Sequence, residues 1–333
     1  MAETVRMAET PAAGTVRGPR AGHLRSLAPF PLIVVAGLIL PWVTSGAGLF
    51  LWELIVIQVV FALGTNLLVG HANIHTFGQA AFYGVGGYAA AVLALEGWNA
   101  WLALIAAIVL GSLLGGFVGG LTMRMTGMGT LMVTVAVAQC FSMLSGRLSV
   151  FGGDNGLSAI ANGFPSTVGV SYWYLLLGIC LVAIALMWVI VHSPFGAVLH
   201  ALRDDPVRVV HMGVDVRRFR VIAFTLSGAF CGLAGSLAAY TQSAVSPEFF
   251  FWVISGNALI MCVLGGLNSF WGPALGAVVY VLLSHELQSY FPDMSILAMG
   301  IALLVVVLIL PRGLVEAPRR LALILPRQTG RKR

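Results

Sequence analysis

Only 9% of the 333 residues are charged, yet the stretch Ser193–Arg220, SPFGAVLHALRDDPVRVVHMGVDVRRFR, gathers five arginines and three aspartates. Guanidinium and carboxylate groups at this density make charge-assisted hydrogen bonds, so the stretch is expected to touch something outside a membrane. A second set of polar groups is scattered through apolar surroundings: Asn73, His75, Thr76, Gln79 and Gln139. Amides, hydroxyls and imidazoles there either pair between helices or line a path for a polar solute. Gln139 reads as an interhelical hydrogen bond or as such a lining group, and Glu53 as an interfacial carboxylate or a pathway group. His71 and His75 are spaced to share a helical face, but neither an HExxH nor a companion Cys/His cluster is present to complete a metal site. The sequence also lacks a GxxxxGK[ST] loop, so the chain cannot hold ATP in that way.

Local signals say how the charged stretch is built. Ser193 before Pro194, and Asp205 before Pro206, are N-caps followed by proline at the first helical position. Gly213 stands where a helix of about two turns needs a left-handed residue after its end. Asp215 then caps a segment through Arg217, Arg218 and Arg220 into the next apolar run.

The rest of the chain is apolar: 59% hydrophobic residues with a mean hydropathy of +0.95. Apolar runs of about 20 residues match a hydrocarbon core of about 30 Å, and without strand alternation they must be helices. The expected fold is an all-α polytopic membrane protein with about ten transmembrane helices, some broken or re-entrant. The segments are 28–45, 48–69, 79–95, 99–122, 129–146, 171–192, 220–242, 250–266, 270–288 and 294–311. Residues 66–79 and the 263–277 hairpin, rich in glycine, are the places where helices are expected to break. GSLLGGFVGG, residues 111–120, provides a small-residue face for close packing.

If all ten span, one face carries Arg6, Arg17, Arg20 and Arg25, then Arg124, the five central arginines and the seven basic residues from Arg312 to Arg333; the other carries only Arg147. The positive-inside rule makes the rich face cytoplasmic, with both termini and the 193–220 loop on it. The net charge of +6 then follows attraction to anionic membrane lipid and calls for no nucleic acid. The polar N-terminal residues 1–27 read as a disordered cytoplasmic tail, 28–312 as the membrane domain and 313–333 as a basic cytoplasmic tail. Cys140, Cys180, Cys231 and Cys262, all in apolar segments without CxxC spacing, read as core hydrophobes with free thiols. The FGGDNGL run at 151–157 is a turn on the outer loop, or a contact for an external partner.

Several runs together resemble the LivM-type permeases of branched-chain amino acid ABC importers. They are NIHTFGQAAFYGVGGY at 73–88, GGDNGL at 152–157, SPFGAVLHALRDDP at 193–206 with Gly213 following, LSGAFCGLAGSLAA at 226–239, VLGGLNSFWGPALGA at 263–277 and PRGL at 311–314. The resemblance extends from about residue 48 to 315, with the runs in the family's order. Asn73, Ile74, His75 and Ala197 depart from it.

The resemblance implies a non-catalytic permease subunit in a bacterial inner membrane. It implies a second, LivH-like permease, two cytoplasmic ABC ATPases that carry the ATP and Mg, and a periplasmic solute-binding protein. The Pro206–Met212 segment becomes a cytoplasmic coupling helix, with Arg203, Asp204, Asp205, Pro206, Arg208 and Gly213 as the ATPase-coupling set. The cargo is expected to be branched-chain or other hydrophobic amino acids, with amides, urea and other amino acids as alternatives within the family. A proton- or sodium-driven transporter would need an ionisable group near the midplane, whereas Glu53, Glu96 and Glu286 fall nearer span ends. A membrane enzyme would need paired carboxylates or a nucleophile–base pair, and neither is evident.

Overall fold

The computed structural model describes residues 35–316 except 36, 43, 45, 126, 161–163, 165–169, 291–293 and 310–312. The chain divides into two compact units, Met1–Val43 and Thr44–Arg333. In the first unit, residue 35 and residues 37–42 are helical. The N-terminal tail, most of the first expected segment and the basic C-terminal tail lie outside the described residues.

In the second unit α1 runs Gly46–Asn66 and widens into a π-helical turn, Leu67–His71. α2 (Gln79–Leu95), α3 (Ala100–Thr122), α4 (Met128–Arg147) and α5 (Val170–His192) follow. The charged stretch folds as α6 (Pro194–Asp204) and α7 (Pro206–His211) and leads into α8 (Val216–Gln242). α9 (Trp252–Gly265), α10 (Gly272–Tyr290) and α11 (Ser295–Ile309) complete the unit. The expected segments 99–122, 129–146 and 171–192 reappear within one residue at each end. α8 begins four residues earlier than its apolar run because Asp215 caps it, and α10 ends two residues beyond the expected boundary at 288.

Among the described residues, five helices are long and apolar enough to cross a membrane: Gly48–His71, Ala100–Thr122, Met128–Arg147, Val170–His192 and Val216–Gln242. α2 and α9 are apolar but, at 17 and 14 residues, fall short of that length. The chain is an integral membrane protein.

Helix α8 is the hub, packed most extensively on α3 and α2 and then on α1. Hydrocarbon offers no hydrophobic drive between helices, so close backbone contact replaces it. α3 turns Ala103, Ala107, Gly111 and Gly115 inward at four-residue spacing and exposes Leu102, Ile105, Val109, Leu113 and Phe117. A Cβ on Gly111 would come within 2.5 Å of the Gly228 carbonyl oxygen, and one on Gly86 would strike the Gly232 backbone. The seam admits no side chain. Cys180, Cys231 and Cys262 are buried as expected, but Cys140 is exposed on α4, so it is not a core residue.

Helix ends gather into two groups. At one end Leu157–Ser158 pairs antiparallel with Ala244–Val245, and Phe250 stacks on Tyr88 and Phe141 at 5.3 and 5.9 Å. The GGDNG turn closes this end: Gly152, Gly153 and Gly156 all have positive φ, and a Cβ on Gly156 would strike the Val245 carbonyl. The other end holds the arginine-rich element.

Candidate functional site

At the arginine-rich end the two aspartates cap as their spacing predicts. Asp205 Oδ1 accepts hydrogen bonds from the Val207 and Arg208 amides at 3.1 and 3.0 Å, opening α7. Asp215 Oδ1 accepts from the Arg217 and Arg218 amides at 3.1 and 3.5 Å, opening α8. Exposed ion pairs reinforce both, Arg208–Asp205 at 3.5 Å and Arg218–Asp215 at 3.0 Å, though pairs this exposed contribute at most about 1 kcal/mol. Gly213, at φ +81°, makes the left-handed turn between the helices. Ser193 differs: it sits at the cap position of α6, but its hydroxyl donates back to the Ile190 carbonyl at 2.6 Å instead of capping α6.

Helix α7 buries only Val209 and presents Val207, Arg208, Val210 and Met212 outward, with the three apolar side chains 64%, 56% and 62% exposed. Asp204 is also exposed, and Asp205 is half-buried by its capping role. Arg203 turns the other way. Its Nη1 donates to the Gly70 carbonyl at 2.8 Å and its Nη2 to Asn268 Oδ1. One side chain thus ties the arginine-rich element to both interruptions in the helical fold, the π turn at 67–71 and the non-helical turn at 266–271. Gly70 is needed there, because a Cβ would strike Asn66 Oδ1 and come within 2.5 Å of the Leu267 carbonyl. Arg220 makes a third tie, donating to the Met125 carbonyl at 3.0 Å.

His200, on α6, meets the buried His71 edge-on, with ring centroids 4.8 Å apart. Desolvation, followed by the Arg203 charge, pushes the His200 imidazole below its ordinary 6.5; Asp204 works in the opposite direction and His192 adds to the depression. The neutral ring is therefore favoured where α6 meets the end of α1.

The polar residues singled out in the sequence do not converge. Asn73 is exposed at φ 52° and lines a small cavity of about 100 Å³ with Arg203 and Arg220. His75 is exposed, whereas Thr76 is buried and its hydroxyl accepts from the Gly78 amide at 3.0 Å. Gln79 is buried with neither amide atom hydrogen-bonded, and Gln139 is half-buried on α4. His71 and His75 share no helical face, because the π turn ends at His71 and residues 72–78 are not helical. The irregular segment is held by residues the sequence did not flag. Thr134 accepts from the Phe77 amide at 3.1 Å, and Ser255 accepts from the Ala80 amide at 2.8 Å while donating to the Phe77 carbonyl at 2.7 Å.

A polar cavity lies elsewhere. An open cleft of about 580 Å³ runs between α1, α9 and α10, lined by Gln58, Asn257, Tyr280 and Ser284 together with Leu54, Phe61, Met261 and Val281. Gln242, Glu248, His285 and Gln288 ring the part of it farthest from the arginines. Gln58, Asn257, Tyr280 and Ser284 come from three helices, so no local motif announced the group; only the packing of those helices assembles it.

Residues 49–310 match the family described as the branched-chain amino acid transport system permease component. Among curated proteins, the chain is 29% identical to the LivM permease protein of the high-affinity branched-chain amino acid transport system of Escherichia coli, covering 86% of this chain and 75% of that one. It is 28% identical to the LivM permease of Salmonella typhimurium, over 86% and 74%. It is 25% identical to the galactose/methyl galactoside import permease MglC of the same organism, over 49% of this chain and 50% of that one. No solved structure matches the chain.

Proposed function

The chain belongs to the branched-chain amino acid transport system permease family, and from that membership we propose that it is the permease subunit of an ABC importer carrying branched-chain and other hydrophobic amino acids into a bacterial cell. The two LivM relatives match over most of the chain, whereas the sugar permease matches over half, which favours amino acids as cargo. In this reading residues 28–312 make ten spans of the inner membrane with both termini cytoplasmic, and α7 is the coupling helix. A LivH-like permease supplies the second half of the pore. Two cytoplasmic ATPases bind ATP and Mg, and a periplasmic binding protein delivers the solute.

The observation that carries the proposal is the division of labour around α7. Its outward side offers the exposed Val207, Val210 and Met212, an apolar patch beside the exposed Arg208, whose one ion pair is with the capping Asp205. Its base is fixed by Arg203 to the ends of α1 and α9. A partner pulling on the patch therefore moves two spans together. Replacing Asp205 and Arg208 together removes the cap and the charge. The expected result is loss of uptake and of stimulated ATP hydrolysis, with membrane insertion intact; normal uptake in that double variant would sink the coupling role.

A further inference from the structure

Gln58 lies ten residues into the span Gly48–His71, about 15 Å from its start and so near the middle of a bilayer. Tyr280 lies near the centre of α10, and Asn257 and Ser284 face the same cleft from α9 and α10. A cleft open to hydrocarbon at this depth would leave its amides and hydroxyls without partners, at a cost of several kcal/mol each. Two other cavities show what a lipid-compatible groove looks like here. One, of about 730 Å³ between α3, α5 and α8, is lined by Trp101, Leu104, Val182 and Leu226, and another, of about 370 Å³, by Val85, Val92, Leu144 and Phe151. Both are walled almost entirely by carbon. Among these three cavities the 580 Å³ cleft is the one whose wall exposes polar atoms as extensively as carbon. Moreover, the Gln58 side-chain oxygen is shielded from solvent and accepts no hydrogen bond from the described residues. Because Gln58 also lines the cleft, opening of the cleft would offer this acceptor to a partner from outside the chain.

We infer that the cleft between α1, α9 and α10 is this chain's wall of the solute path, and that Gln58 and Asn257 select a net-neutral zwitterion with an aliphatic side chain. A carboxamide carries both an acceptor for an ammonium and donors for a carboxylate, so two of them grip a zwitterion without adding charge. Leu54, Phe61, Met261 and Val281 offer the aliphatic side chain its apolar surface. Gln58, Asn257 and Tyr280 bring no ionised group to neutralise a solute of net charge; Glu248 and His285 lie toward the end of the cleft farthest from the arginines. This inference rests on the permease reading above, and it moves the path away from Asn73, His75 and Gln79, which the cleft does not include.

The test uses the whole importer in membrane vesicles. Gln58→Cys, Ser284→Cys and, as a lipid-facing control, Val182→Cys are treated with a charged, membrane-impermeant thiol reagent, with exposed Cys140 replaced by serine. Labelling of the first two but not of Val182→Cys, with uptake of radiolabelled leucine blocked by the label, is the expected result. A Gln58→Cys that stays as unreactive as Val182→Cys would overturn the inference. In parallel, Gln58→Leu and Asn257→Leu are each expected to lower leucine uptake about tenfold, the worth of one hydrogen bond to a charged group. Leucine uptake equal to that of the native importer in both leucine variants would also overturn it. A native importer that moves no aliphatic amino acid would remove the functional reading instead, and the labelling pattern would still decide whether the cleft conducts solute.

Discussion

The α2–α3–α8 seam and the cleft wall of α1, α9 and α10 are built from similarly apolar sequence to opposite ends. In the seam, glycines bring backbones together until no side chain fits: a Cβ on Gly115 would strike the Phe224 carbonyl, and one on Gly235 the Tyr83 carbonyl. On the cleft wall, half-buried side chains keep the helices apart and leave an open volume of about 580 Å³. A transporter needs both, a part that keeps its shape and a part that can open. Arg203 joins the arginine-rich element to the ends of the second part, at Gly70 and Asn268.

The comparison breaks most sharply at the seam. Gly232→Leu would force a branched side chain toward the α3 backbone, where a Cβ already meets the Ala107 carbonyl oxygen at 2.7 Å. Overpacking of this kind costs about 1–3 kcal/mol or more, so the folded yield in detergent and the thermal midpoint are both expected to fall steeply. The matching change on the cleft wall, Val281→Leu, should leave the midpoint nearly unchanged.

Next in size is Arg203→Met. The variant keeps the bulk and loses both hydrogen bonds, so the importer should assemble yet lose most of its uptake, while ATP hydrolysis ceases to respond to the binding protein. Arg203→Lys, which cannot reproduce the forked geometry, should recover only part.

A smaller effect concerns pH. Because the His200 pKa is lowered in the folded protein, its contribution is full above the ordinary value of 6.5 and is lost as pH falls below it. Protonation would set a second cation beside Arg203, with His71 and His192 close by and Asp204 as the one compensating charge. Uptake measured against internal pH is expected to decline below about 6.5, and the decline should flatten in His200→Phe. The smallest effect is Asp205→Asn, which preserves the cap and removes the exposed ion pair; activity should change less than twofold.

These regions also differ in how much of them the sequence disclosed. Capping and span boundaries are local, so Asp205, Gly213 and Asp215 stand where residue type and spacing put them. The small-residue run at 111–120 likewise announced a packing face. What stayed hidden depended on partners far along the chain. Arg203 reads as a surface charge until Gly70 and Asn268, 133 and 65 residues away, are brought beneath it. His71 and His75 read as a pair only on a continuous helix, and the π turn ends the helix at His71. Gln58, Asn257, Tyr280 and Ser284 come from three helices, and no local spacing links them. Within the irregular 73–79 stretch only Thr76 makes a side-chain hydrogen bond, to the Gly78 amide, while Thr134 and Ser255 from other helices hold the backbone of Phe77.

The central claim is that this chain is one wall of an importer driven from its arginine-rich end. The most direct measurement is purification of the tagged protein from its native membranes in mild detergent, followed by identification of what elutes with it and reconstitution into liposomes. The account predicts a second permease of similar size, ATPases carrying the phosphate-binding loop this chain lacks, and leucine uptake that requires ATP. A chain that elutes alone and transports under an ion gradient without ATP would contradict it.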